Sequence, residues 1–180
     1  MNKKIKRYLS VLVLVLLLLG VTVGYSILTQ RLDITGTSKI NNATWNIHFE
    51  NVSVTPGSVT NATAPTATGT DTVAMSYTAN LEKPGDFYEF TFDVKNGGSV
   101  DAKLSAIPTL SGVSTAQAVY TNYTITHANG SPVVANEEIA AGANDSFKVR
   151  VEFKKDITAS QLPTSAQNLN LTVAMNYVQK

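Results

Sequence analysis

Five stretches of this chain alternate apolar and polar residues with strict period two, and nothing else in the sequence limits its fold as much. Trp45, Ile47 and Phe49 alternate with Asn46, His48 and Glu50; Val73, Met75, Tyr77, Ala79 and Leu81 follow the same rule, as do Tyr88, Phe90, Phe92 and Val94. Phe147, Val149, Val151 and Phe153 form a fourth set, and Leu169, Leu171, Val173, Met175 and Tyr177 a fifth. Successive side chains of a strand point to opposite faces, so each stretch offers one core face and one solvent face. A helix cannot use this pattern. Fainter versions predict strands at 31–36, 52–54, 100–107 and 119–127. Pro56-Gly57, Pro84-Gly85, Asn96-Gly97-Gly98 and Asn129-Gly130 supply turns between them. The expected fold is all-β: one antiparallel β-sandwich, of jelly-roll type, over residues 27–180. Two segments break the pattern. Residues 55–70, rich in Pro, Thr, Ala and Gly, read as a mobile loop, and residues 156–162 as a short helix capped by Asp156.

The N-terminus obeys a different rule. Lys3, Lys4, Lys6 and Arg7 precede an apolar run, and no further charge occurs before Arg31. A charged start followed by an apolar stretch is an export signal, and the basic residues stay on the cytoplasmic side. Residues 9–28 at about 1.5 Å each are also long enough to span a bilayer core of about 30 Å. Residues 1–26 therefore read as a signal peptide, cut after Gly24 or Ser26, or as an uncleaved membrane anchor. Without the four leading charges the formal net charge of +1 becomes −3, so a nucleic-acid-binding surface is not expected. The absence of cysteine excludes disulfides, thiol nucleophiles, cysteine-ligated metals and a lipoprotein anchor.

Chemistry is sparsely represented. His48 and His127 are the only histidines, and neither stands in a metal-ligand motif, so they could share a metal only if folding brought them together. His48 falls on the polar face of its strand and His127 precedes a turn, so both read as surface histidines. The carboxylate-rich run Asp86–Asp93, Glu89 within it, alternates with aromatics and reads as a solvated strand face rather than an acid/base pair. Lys148, Arg150, Lys154 and Lys155 form a basic stripe that Glu152 and Asp156 offset. Seven N-x-S/T triplets follow from the wealth of Asn, Ser and Thr in turns. No catalytic residue, cofactor, metal ligand or small-molecule substrate is assigned, and the chain is not expected to be an enzyme.

Leu81-Glu82-Lys83-Pro84-Gly85-Asp86, followed by Phe90-Thr91-Phe92-Asp93-Val94-Lys95-Asn96-Gly97-Gly98-Ser99-Val100-Asp101-Ala102, resembles the core of the TasA/camelysin-like exported proteins. Ile34-Thr35-Gly36-Thr37 leading into Trp45 resembles the segment after that family's signal. The resemblance implies a secreted or surface-displayed jelly-roll protein of bacterial biofilm matrix, whose N-terminal strand completes the sheet of the next subunit. Here the donated segment would lie within residues 25–40, with Leu32, Ile34 and Gly36 setting its register. Some relatives are catalogued as metallopeptidases, an activity for which this chain has no zinc motif. The leading expectation is thus an exported structural protein of the cell surface or extracellular matrix, a fibre subunit whose partner is a second copy of itself. A membrane-anchored binding or adhesion module, using residues 55–70 or 122–129, is the alternative. An exported metallopeptidase comes third.

Overall fold

The computed structural model describes residues 2–28, 38–60, 62–68, 72–165 and 168–180. Leu32, Ile34 and Gly36 lie outside these residues, and with them the expected strand at 31–36. The chain divides into two compact units, 1–41 and 42–180. The first contains helix α1 (Lys3–Leu28), whose stretch Lys3–Val23 has a mean hydropathy of 2.0 and is long and apolar enough to cross a membrane. Two of its hydroxyls bond back to the helix's own carbonyls. Ser10 Oγ donates to the Lys6 carbonyl and Thr22 Oγ1 to that of Leu18, each at 3.0 Å.

The second unit is built of β1 (Ile47–Val54), β2 (Thr66–Thr68), β3 (Thr72–Ala79), β4 (Phe87–Asn96), β5 (Ala102–Leu104), β6 (Thr109–Ser111), β7 (Thr121–His127), β8 (Glu138–Ile139), β9 (Asn144–Phe153) and β10 (Leu169–Gln179). One sheet has the order β1-β4-β9-β7. The other runs β2-β3-β10-β5-β8, with β6 also paired to β10. All pairings are antiparallel. The five strongly alternating stretches became β1, β3, β4, β9 and β10, and their apolar positions face inward as the period demands.

The two sheets lie face to face over a single core. β4 contributes Tyr88, Phe90, Phe92 and Val94, and β9 contributes Phe147, Val149 and Val151; opposite them stand Met75 and Tyr77 of β3 and Leu171, Val173 and Met175 of β10. Phe92 stacks on Phe147 at 5.7 Å within one sheet. Burial of each such phenylalanine is worth about 1.5–3 kcal/mol. The fold is therefore an all-β antiparallel sandwich. Among the described residues β2 and β3 form a hairpin between consecutive strands, and most other connections cross from one sheet to the other.

Four local expectations need correction. Residues 55–70 are not simply a loop: Thr66–Thr68 pair with β3, Ala62 forms a bridge with Ala79, and Thr63 N–H donates to the Thr78 carbonyl at 3.0 Å. Backbone pairing onto a sheet edge needs no apolar period, so the sequence carried no sign of it. The expected helix at 156–162 is a single 3₁₀ turn, Ala159–Gln161, and its cap is Thr158, whose N–H donates to Gln161 Oε1 at 2.8 Å, not Asp156. The expected strand at 100–107 shortens to β5, and residues 117–119 form a second 3₁₀ turn before β7.

Candidate functional site

The most specific sequence motifs turn out to be clasps. Asp86 Oδ2 accepts the N–H groups of Glu82 and Lys83, both at 3.0 Å, closing the turn that Gly85 makes with φ 96°. The turn is fastened to the end of β9, since Gly85 N–H donates to the Phe153 carbonyl and Phe153 N–H to that of Asp86, each at 2.8 Å. Asn96 is wholly buried. Its Nδ2 donates to the carbonyls of Val100 (2.9 Å) and Ile139 (3.1 Å), and its Oδ1 accepts from Gly98 N–H at 3.0 Å. Ser99 Oγ accepts Thr44 N–H at 2.8 Å, and a Cβ on Gly98 would collide with the Thr44 carbonyl. The motif residues hold the ends of strands together.

Two surface features can engage a partner. β1 stands at the outer edge of its sheet, and its second half presents Val52 and Val54 at 42% and 45% exposure. Unpaired N–H and C=O groups on such an edge are a template for an added strand. The pairing of β1 with β4 shifts register between Glu50 and Ser53, where Asn51 adopts φ 55° and donates to Asp93 Oδ2 at 2.8 Å. The second feature is a hollow of about 410 Å³ at one end of the sandwich, lined among others by Asn80, Glu82, Tyr120, Thr121 and Phe153. Of the two regions expected to contact a ligand, 122–129 is mostly strand β7, and neither 55–70 nor 122–129 lines this hollow.

The histidines do not meet. His48 is on β1, with Nδ1 3.1 Å from Asn46 Oδ1, whereas His127 ends β7 at the opposite edge of the same sheet. His127 is not a surface residue. It shares the inward face of β7 with Thr121, Tyr123 and Ile125, its side chain is 17% exposed, and its ring stacks on Phe147 at 5.1 Å. Each ring nitrogen faces a carboxylate: Nε2 lies 3.1 Å from Glu137 Oε2, and Nδ1 lies 3.4 Å from Asp145 Oδ2. Glu137 is held in place by Val134 N–H on its Oε1 at 2.9 Å, and its own carbonyl accepts Leu104 N–H at 2.8 Å. Burial works against a charged ring at His127, but the hydrogen bond to Glu137 and the negative charges of Asp145 and Glu137 outweigh it and raise the pKa. The same carboxylates, after burial itself, push the Tyr177 hydroxyl up. His127, Glu137 and Asp145 are the described residues whose ligand atoms converge closely enough to hold a metal ion.

Sequence reasoning missed this group. The alternation Thr121, Tyr123, Ile125, His127 does put the histidine on the core face, but the two acids come from a connection and a strand start that no spacing rule links to it. Glu89 was also misjudged. Far from solvated, its side chain is 12% exposed and accepts from Arg150 at 3.1 Å, while Arg150 Nε donates to Glu152 at 3.0 Å and its guanidinium lies 3.9 Å over the Phe87 ring.

No family model matches the chain, and neither the curated proteins nor the solved structures yield a match. What the fold and its surface define is a class: a two-sheet antiparallel sandwich preceded in sequence by an apolar helix, with β1 on an open sheet edge and, among the described residues, a histidine–carboxylate cluster.

Proposed function

We propose that this chain is an exported, non-enzymatic structural protein of the cell surface or extracellular matrix, whose copies assemble by strand addition. The observation that carries this reading is the open edge of β1, with Val52 and Val54 facing solvent on a strand that has no outer neighbour among the described residues. The occupant is residues 25–40 of a second copy, where Leu32 and Ile34 supply side chains at alternate positions and Gly36 permits close approach. The apolar helix behind four basic residues supports export, first as a signal and otherwise as an anchor. The resemblance of the Pro84-Gly85-Asp86 and Asn96–Ser99 motifs to TasA/camelysin-like proteins agrees with this, because both motifs build the sandwich.

Deleting residues 25–40 tests the proposal. Soluble monomers with an unchanged circular dichroism spectrum are expected, as against ordered filaments from the processed parent. Regular filaments from the deleted chain would sink the strand-donation mechanism.

A further inference from the structure

We propose that His127 and Glu137 bind one divalent cation of the zinc or manganese class, with Asp145 as the residue that positions the imidazole. The His127 ring stands between two carboxylates. A neutral imidazole carries one N–H and one acceptor nitrogen. With the N–H on Nδ1, directed at Asp145 Oδ2 3.4 Å away, Nε2 turns its lone pair toward Glu137 Oε2 at 3.1 Å. That oxygen is buried and receives no hydrogen bond. Glu137 Oε1 accepts Val134 N–H at 2.9 Å and also lies 3.2 Å from His127 Nε2, so that ring nitrogen faces both carboxylate oxygens. In this tautomer a bound cation fits the gap between Nε2 and Oε2; in the other, a proton on Nε2 fills it as a hydrogen bond to Glu137.

The geometry suits a metal. Nitrogen and oxygen ligands at about 2.0–2.2 Å from one zinc ion lie about 3–3.5 Å apart, which matches the observed pair. A ligating histidine nearly always donates its second N–H to a carboxylate, a backbone carbonyl or water, and Asp145 Oδ2 lies 3.4 Å from Nδ1. One imidazole and one carboxylate favour zinc or manganese over calcium, which prefers an all-oxygen shell. The residual exposure of the three side chains leaves room for water to complete the coordination. Such an ion would tie the end of β7 to the connection entering β8, and so join the rims of the two sheets. The proposal is independent of the strand-addition reading.

The test uses the full chain in detergent micelles at neutral pH, titrated calorimetrically with zinc chloride, with manganese chloride, and with calcium chloride as the oxygen-preferring control. One equivalent of zinc binding with micromolar affinity is expected, weakened about tenfold or more by Glu137→Gln and by Asp145→Asn, and unchanged by His48→Ala. A second readout needs no variant. Substoichiometric manganese should broaden the ring proton signals of His127 before those of His48, the only other histidine. If zinc binding survives Glu137→Gln undiminished, or manganese leaves the His127 signals sharp, the cluster holds a proton and nothing more, and the proposal is wrong.

Discussion

Tyr77 of β3 meets Phe90 of β4 edge to face, with ring centroids 4.9 Å apart and planes at 81°, and this contact joins the centres of the two sheets. Both rings are almost wholly buried. Phe90→Ala removes the edge-to-face partner and leaves a cavity that residues of two sheets must collapse to fill. A loss of about 3–5 kcal/mol is expected. Urea unfolding of the variant checks it, and a loss below about 1 kcal/mol would mean the core relaxes far more freely than native packing density allows.

Asn96 sits where two strands and a connection converge, and its side chain answers three backbone groups. Asn96→Ala leaves the carbonyls of Val100 and Ile139 and the N–H of Gly98 short of partners in a buried place. Each such orphan costs about 1–3 kcal/mol. Asn96→Asp is the sharper probe, because it keeps the acceptor for Gly98 but turns a donor toward two carbonyls into a negative charge. It should destabilise at least as much as the alanine at neutral pH and recover partly on acidification, as followed by thermal melts across pH.

Tyr123 supplies a prediction at the alkaline end. Burial, partly offset by Tyr77, pushes its hydroxyl from 10.0 up to about 12. The folded state therefore keeps a proton that the unfolded chain gives up more easily. The associated stability is complete below pH 10 and declines as pH rises toward 12. Tyr77, raised in the same direction by the same cause, adds to the effect. Tyr123→Phe should make the alkaline loss of stability shallower, which denaturant midpoints at a series of high pH values will show. An unaltered alkaline profile would place the ionisation elsewhere.

How far the sequence carried the fold depends on which force set each element. Strands β3, β4, β9 and β10 were legible because a half-buried sheet stamps period two on the chain, and Phe90 or Val173 has no alternative place to go. β2, β6 and β8 were not, since each is held by a few backbone pairings to a strand already placed. Thr66 and Thr109 carry no apolar signal at all. Turn residues were readable as turns, yet their further task of clasping strand ends, as Asp86 and Asn96 do, depends on partners distant in sequence. The site was least legible. His127 looked like a residue before a turn, and only folding brings Glu137 and Asp145 to its two nitrogens.

The open edge of β1 yields the most direct test of assembly in the intact chain. Val52 and Val54 make little contribution to the monomer's core, being 42% and 45% exposed, so replacing both with lysine should change monomer stability by no more than about 0.5 kcal/mol per site. On an edge strand the same charges oppose the approach of another strand. Val52→Lys/Val54→Lys should therefore leave the melting curve of the monomer in place while abolishing filaments seen by electron microscopy. The exposed pair Val134 and Ile107, away from β1, serves as the control, and its lysine variant should still assemble. Filaments that form normally with lysines on β1 would move the interface to another edge of the sandwich.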